Sequence, residues 1–405
     1  MARTPGIAPG DSGAAEVEIT IVERMRDFGR DDWDALLAAD DSPFLEWDWL
    51  AAMEESKSAT RKTGWAPYHL AARLKDSRRV IAACPLYLKS HSMGEFIFDQ
   101  GWADAAERAG LQYYPKLLVG VPFTPHTGRR FLVAPEIDRP TMVRALARAL
   151  ASLCTDNKLS SVHVNFCAED EAAALGEFGF LERLGYQYHW VSAGFTTFDD
   201  YLNQLKSKRR YAVRHERAAL IGQGIEVRAL VDSQIPDAMF DEIYQIYLST
   251  IQKLYWGRQY LTHDFFNLVR DHFKRYLCFI GAWRGSELLA GTINWQKAGV
   301  FYGRYWGSFE EVRYLHFNVC YYAAIEHCIA SGIQRFEPGA GGEYKWLRGF
   351  NPALTRSMHF VAHDGLRKAI ANFLARERRE VERWITEGHE RGQLKAPPPS
   401  NVENA

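Results

Sequence analysis

Apolar positions along this chain follow two rhythms, one near 3.6 residues and one near 2, and stretches of the two alternate from residue 16 onward. Over 140–153 the helical rhythm is complete. Pro140 opens the segment, and Met142, Val143, Leu146, Ala149, Leu150 and Leu153 share one face. Helical spacing also marks 31–39, 47–56, 171–178, 236–253, 264–273, 315–330 and 366–385. It predicts one long helix over 199–221, closed by Gly222 and Gly224. Residues 68–73 and 80–88 read as a hairpin turning at Asp76-Ser77, and 278–283 with 288–296 as a second, turning at Arg284-Gly285-Ser286. Further extended segments are 161–166, 186–195, 300–306 and 335–338.

This mixture predicts an α/β fold. The two hairpins echo each other: each is a strand, a charged turn and a second strand, followed by an aromatic third, which points to a duplicated α/β unit. With 405 residues there is room for two domains. The expected organisation is a flexible lead over 1–15, a first domain over 16–195, a second over 196–390 with a closing amphipathic helix, and a flexible tail over 391–405, with the domain boundary near 190–197.

Composition narrows the function. The chain is 47% hydrophobic, which rules out global disorder. Its 49 Lys+Arg against 50 Asp+Glu rule out a whole-surface polyanion binder, so any phosphate or nucleic acid must meet a local patch. The six cysteines form no C-x-x-C pair and have no histidine at zinc-finger spacing. That predicts a reducing compartment, the cytoplasm by default, with no disulfide framework and no metal. The longest near-apolar run, 117–123, is far short of a membrane span, and the first residues lack a secretory h-region.

A local patch exists. Six basic residues and one acid fall within 206–217. On a helix, Lys206, Arg210, Arg214 and Arg217 would share a face, suited to a pyrophosphate, a nucleotide or a tRNA backbone. The bland alternative is a solvated face neutralised by acids elsewhere in the chain. In 301–307 aromatic residues alternate around Arg304, so Tyr302 and Trp306 could wall a cleft beside one fixed cation, or Arg304 could pair with a core carboxylate. His316 and Cys320, four apart, would share a helix face; a thiolate nucleophile there competes with Cys320 as a plain buried hydrophobe.

The stretch 336–350 carries most chemistry. Gly339, Gly341 and Gly342 free the backbone to approach an anion; Glu337 and Glu343 flank the loop, and Lys345 and Arg348 follow it. This suits acyl transfer to an amine: a carboxylate to take a proton, and N–H groups with a cation for the oxyanion. A structural turn with surface charges is the alternative. The loop is neither a Walker motif nor a dinucleotide fingerprint. In the first half Lys89, His91 and Lys116 could line a cleft, or lie on a solvated surface.

Six phrases resemble a family of bacterial N-acyltransferases, Fem-like "peptidoglycan biosynthesis" proteins with GNAT-related domains. They are Pro85-Leu86-Tyr87-Leu88-Lys89-Ser90-His91-Ser92, Tyr113-Tyr114-Pro115-Lys116-Leu117, Val121-Pro122-Phe123-Thr124-Pro125, Gly303-Arg304-Tyr305-Trp306-Gly307, Leu315-His316-Phe317 and Phe336-Glu337-Pro338-Gly339-Ala340. The resemblance runs over about 42–380. It implies two tandem GNAT-like domains and an activated donor, aminoacyl-tRNA or acyl-CoA. The chain departs from the family at Asn318, Gly341 and Tyr344, where Glu, Gln and His would be expected. Its 304–309 lacks the second glycine of the acyl-CoA pyrophosphate loop.

The resulting expectation is an N-acyltransferase working by direct attack of an amine, with no permanently bound cofactor. Glu337 or Glu343 would be the base. Lys345, Arg348 and loop N–H groups would steady the intermediate. Lys206, Arg209, Arg210, Arg214, Arg304, Gly339, Gly341 and Gly342 would hold the donor. Lys89, His91, Lys116, Tyr302, Trp306 and His316 would line the substrate cleft. The rival class is a non-catalytic nucleotide- or tRNA-binding module on the same frame.

Overall fold

A computed structural model describes residues 16–253, 258–341, 344–390 and 394–395. The segments 1–15 and 391–405, apart from Leu394 and Lys395, lie outside the described residues, as do Gly342 and Glu343. The chain forms two compact α/β units. The first comprises the described residues up to Gly185 together with Thr355–Val381; the second comprises Tyr186–Leu354 with the described residues after 381.

The strands of the chain, in order, are β1 (Val17–Val22), β2 (Trp65–Pro67), β3 (His69–Leu74), β4 (Val80–Cys84), β5 (Leu86–Lys89), β6 (Lys116–Val119), β7 (Leu132–Val133), β8 (Ser161–Asn165), β9 (Leu181–Val191), β10 (Ile225–Val231), β11 (Leu277–Arg284), β12 (Glu287–Lys297), β13 (Val300–Ser308), β14 (Arg335–Glu337) and β15 (Asn351–Val361). In the first unit one sheet runs β1-β3-β4-β7 and a second runs β2-β5-β6-β8-β15. The first hairpin is β3 with β4; Pro85, unable to donate to a ladder, separates β4 from β5. β6 and β8 pair in parallel and are joined through helix Arg139–Asp156. The expected apolar face of that helix is buried, with Leu146 and Leu150 fully inaccessible in the first unit's core. Asp138 caps it by accepting from the Thr141 backbone N–H.

The second unit repeats this plan in the order β10-β11-β12-β13-β14-β9. The second hairpin is β11 with β12, and a parallel pair, β13 with β14, is joined through the helical segment that begins at Leu315 and ends at Ala330. The echo between the hairpins therefore extends to a parallel pair with a helical crossover in each unit.

The units exchange closing strands. Trp190 and Val191 of β9 pair with Phe336 and Arg335 of β14 in the second unit. Ser357 to Val361 of β15 pair with β8 in the first. A single cut near 190–197 therefore does not separate the units, because Thr355–Val381 returns to the first.

The long helix expected over 199–221 is two helices, Phe198–Gln204 and Ser207–Ile221. Leu205 and Lys206 between them are extended, and buried Leu205 bridges to Leu394. Burying that leucine against a distant strand-like partner outweighs continuing the helix. No helix among the described residues is long and apolar enough to cross a membrane.

Candidate acyl-transfer site in the second unit

The site starts where two parallel strands part. β13 and β14 pair only as far as Tyr302 and Glu337. Beyond that point the β12–β13 register slips: Ile293 faces Tyr305 and Asn294 faces Gly303, leaving Arg304 as the extra residue of a bulge. Two glycines make the geometry possible. A Cβ on Gly307 would lie 1.8 Å from the carbonyl oxygen of Ile246, and one on Gly303 would crowd the Pro338 Cα at 3.2 Å. Gly339, at φ +81°, turns the chain out of β14.

Lys345 lies in the loop that follows. It is buried, and its Nζ donates to the carbonyl oxygens of Gly339 at 2.6 Å and Ala340 at 3.4 Å. Burial lowers its pKa from the usual lysine range to about 8, opposed by the neighbouring Cys320. The loop thus turns the carbonyls of Gly339 and Ala340 toward a cation of the protein. Cys320 sits in a π-helical turn, Asn318–Tyr322, a distortion often found at functional sites. Its thiol, hydrogen-bonded to the side chain of Thr292, is pushed up by burial, which favours the plain buried thiol over the thiolate weighed for a His316–Cys320 pair. Burial, with Arg348 and Lys345 nearby, lowers His316 to about 4, so it is neutral at physiological pH.

Glu337 is buried at the end of β14. Its Oε1 meets Arg335 Nε at 3.0 Å, while Oε2 is buried and accepts no hydrogen bond among the described residues. His189 comes next to it. With Phe336 opposite Trp190, the following pair in that antiparallel register is Glu337 and His189. His189 Nε2 is likewise buried and without a hydrogen-bond partner among the described residues. Burial lowers its pKa, with the Glu337 charge pulling the other way and the Arg335 and Lys345 charges adding to the fall. His189 was not singled out from sequence. Its signal was the alternation of 186–190, which puts His189 on the face opposite buried Tyr188 and Trp190.

Arg348 is committed to the scaffold. Its Nε donates to the Tyr322 hydroxyl at 3.0 Å, Nη1 to the Tyr344 carbonyl at 2.9 Å and Nη2 to Glu216 at 3.3 Å, and its guanidinium lies 3.6 Å from the centroid of the Phe317 ring. With three of its five N–H donors engaged this way, it pins the loop to helix Ser207–Ile221. Asn318 joins the same anchor, donating to the backbone carbonyls of Glu216 and Tyr314, each at 3.0 Å.

Beside the parted strands lies a pocket of about 470 Å³, whose lining includes Lys253, Trp306, Glu310, Glu311, Arg313 and His316. That volume suits a small-molecule group. Trp306 and His316 pack edge to face there at 5.0 Å. Tyr302, expected on the cleft wall, is buried in the sheet instead, opposite Trp295 and Glu337.

The basic segment is split by the helix break. Arg214 pairs with Asp199 at 3.3 Å and Arg217 with Glu326 at 2.7 Å, so half of the expected face is neutralised from within the chain. Lys206, Lys208 and Arg209 carry no ion pair among the described residues, and Arg210 donates to Asn203. These four precede or open helix Ser207–Ile221, whose first turn holds no acid. Cations at a helix N-terminus oppose the macrodipole unless an anion joins them.

Lys89 and Lys116 line no surface. They stand directly opposite each other in the β5–β6 register, and both side chains are fully buried in the first unit. Lys116 donates to Glu95 at 2.9 Å and to Asp99, which also accepts from Tyr113 at 2.7 Å. Burial alone would raise Asp99, but Lys116 holds it well below the carboxylate range. Glu95, Asp99 and His163 bring ligand atoms within 4.8 Å of one another, yet Lys116 already supplies the positive charge between the carboxylates. His91 is half-buried, with Nε2 3.0 Å from the Thr63 carbonyl. The physical reason is local: two lysines facing each other inside a sheet need two acids, and 95 and 99 provide them.

Comparison with known proteins follows this geometry. Residues 24–396 match the model of a family described as FemAB-like, peptidoglycan biosynthesis/recognition. No curated protein sequence matches the chain. Among solved structures it is similar to FemX, with 12% identity, 85% of this chain and 98% of that one covered, and a TM-score of 0.51. It is also similar to the C-terminal domain of a putative lysylphosphatidylglycerol synthetase from Agrobacterium fabrum, with 10% identity, 89% and 98% covered, and a TM-score of 0.52. At these identities the likeness establishes the fold alone: an α/β chain of two units with a C-terminal helix.

Proposed function

The chain belongs to the FemAB-like family of peptidoglycan biosynthesis/recognition proteins and is an acyltransferase of that family; we propose that it moves an acyl or aminoacyl group from an activated ester or thioester to an amine by direct attack. The observation that carries this is that β13 and β14 part where the chain supplies a buried carboxylate oxygen without a hydrogen-bond partner among the described residues, Glu337 Oε2 at the end of β14, and a desolvated ammonium, Lys345, held by the turn that follows. The gap between parted strands admits a carbonyl group edge-on. Lys345 then faces the oxygen that becomes negative as the amine adds, in a dry site where one charge counts for several kcal/mol. Glu337 receives the amine in its charged form and holds it for attack.

The donor is acyl-CoA or aminoacyl-tRNA, taken as a co-substrate. The pocket beside Lys253, Arg313 and His316 would take the part of the donor nearest the carbonyl. Lys206, Lys208, Arg209 and Arg210 would meet its phosphates, and Arg304 at the bulge would fix the register of the strand beneath. Four cations at the acid-free start of Ser207–Ile221 favour a tRNA, with its many phosphates, over CoA as the source of those phosphates. Such donors are made in the cytoplasm, where we place the reaction.

The test is single-turnover transfer by the full chain, with radiolabelled acetyl-CoA and alanyl-tRNA each offered to a panel of primary amines. Label appearing in an amide, and lost with Lys345→Met, supports the reading. Donor bound but never transferred would leave a binding module.

A further inference from the structure

We propose that His189 is the group that takes the proton from the acceptor, and that the acceptor is a primary amine entering as its ammonium ion between His189 Nε2 and Glu337 Oε2. This deepens the acyltransferase reading and rests on it.

Three observations carry the inference. His189 reaches this site only because β9 is exchanged into the second unit, where the register that sets Trp190 opposite Phe336 brings His189 beside Glu337. His189 Nε2 and Glu337 Oε2 are both buried without a hydrogen-bond partner among the described residues, a costly arrangement for polar groups inside a protein. The two are also complementary to one kind of guest. A carboxylate oxygen and an unprotonated imidazole nitrogen are both acceptors, so what satisfies them together is a donor with at least two N–H groups and a positive charge: an ammonium. A hydroxyl has one proton to give and leaves one acceptor orphaned. Burial favours the neutral imidazole, which is the form that can accept a proton.

The step balances as follows. His189 Nε2 removes one proton from R–NH3+, and the freed nitrogen lone pair attacks the acyl carbonyl. The C–N bond forms as the carbonyl π pair moves to oxygen, facing Lys345. As the intermediate collapses, the bond from carbon to the donor's oxygen or sulfur breaks, and that leaving group takes the proton held by His189. The nitrogen then gives a second proton to His189, which passes it to solvent. Of the three ammonium hydrogens, one remains in the amide, one leaves with the donor's hydroxyl or thiol, and one is released.

The experiment uses the full chain labelled with 13C at histidine Cε1, the His189 signal being assigned by its loss in His189→Gln. Titration with n-butylammonium should shift that signal, and Glu337→Gln should weaken the response at least about tenfold, whereas n-butanol should leave it unmoved. A His189 signal indifferent to n-butylammonium, or equally responsive to n-butanol, overturns the proposal whether or not turnover has been found. In the transfer assay, His189→Gln and His189→Asn should lower kcat by about 10²–10⁴-fold with little change in KM, and should remove the acidic limb of the pH profile. Full kcat and an unchanged profile in either folded variant also overturn it, while leaving the acyltransferase reading intact. Absence of transfer with every donor would strike that reading instead, and the titration would still decide the amine site.

Discussion

Lys345 Nζ donates to the carbonyl oxygen of Gly339 at 2.6 Å, across the turn that takes the chain out of β14. The contact holds an ammonium in a buried place where it costs stability, bonded among the described residues to two carbonyls and to no carboxylate. The sign of that cost is fixed. The folded-state pKa, about 8, lies below the reference 10.5, so between those values the unfolded chain binds more protons, and stability rises with pH across that window. Below it the full penalty applies.

Lys345→Met should therefore raise stability near neutral pH, by about 1–3 kcal/mol once the lost carbonyl bonds are set against the relieved charge. The same change should cut transfer by about 10²–10³-fold. Urea melts at neutral pH and at about pH 10 check the first part, since the gain must shrink as the wild-type lysine loses its proton. A variant less stable than wild type at neutral pH would show that the ammonium is a structural anchor.

Gly307→Ala should disable the second unit. The added methyl carbon would stand 1.8 Å from the Ile246 carbonyl oxygen, which belongs to helix Phe240–Lys253 and cannot give way alone. Loss of soluble protein, or a drop in stability of about 3 kcal/mol or more by denaturant melt, is the expected result. Gly341→Ala meets no atom within 4 Å but strains a backbone at φ +72°, so a loss of about 1 kcal/mol is expected there.

Lys116→Met should destabilise the first unit by about 3–5 kcal/mol, because Glu95 and Asp99 would be left as buried carboxylates with no ammonium between them. Transfer per folded molecule should be unchanged. A specific fall in kcat at full stability would return Lys116 to the substrate cleft.

Arg209→Ala and Lys206→Ala should each lower tRNA affinity and reduce the slope of log affinity against log salt by about 1. Arg214→Ala should do less, since that guanidinium is already engaged by Asp199. Fluorescence anisotropy over a salt series measures both. Equal effects from all three would mean the Asp199 pair opens on binding.

The outline of this fold was readable because it rests on local rules. The face of helix Arg139–Asp156 and both hairpins follow from periodicity and turn residues. The glycine loop, Lys345 and Glu337 stood out because glycines and charges cluster there. What escaped depends on partners far along the chain. The helix break at Leu205 is set by Leu394, and His189 acquires meaning only from β14, to which no local pattern in 186–191 points. Lys89 and Lys116 looked like cleft residues because a sequence shows that lysines are charged, not that Glu95 and Asp99 fold in to meet them. The anchoring of Arg348 escaped for the same reason, its partner Glu216 lying on a helix read as a phosphate-binding face.

The most direct measurement of the central claim is kcat/KM against pH for the full chain and for Lys345→Arg, with the donor that single turnover identifies. If the buried ammonium stabilises the oxyanion, wild-type activity falls above about pH 8 as Lys345 loses its proton. In Lys345→Arg, which keeps its charge, whatever activity remains should hold to at least about pH 9. Superimposable profiles for the two proteins, with equal rates, would contradict a catalytic Lys345 and move the chemistry away from the gap between β13 and β14.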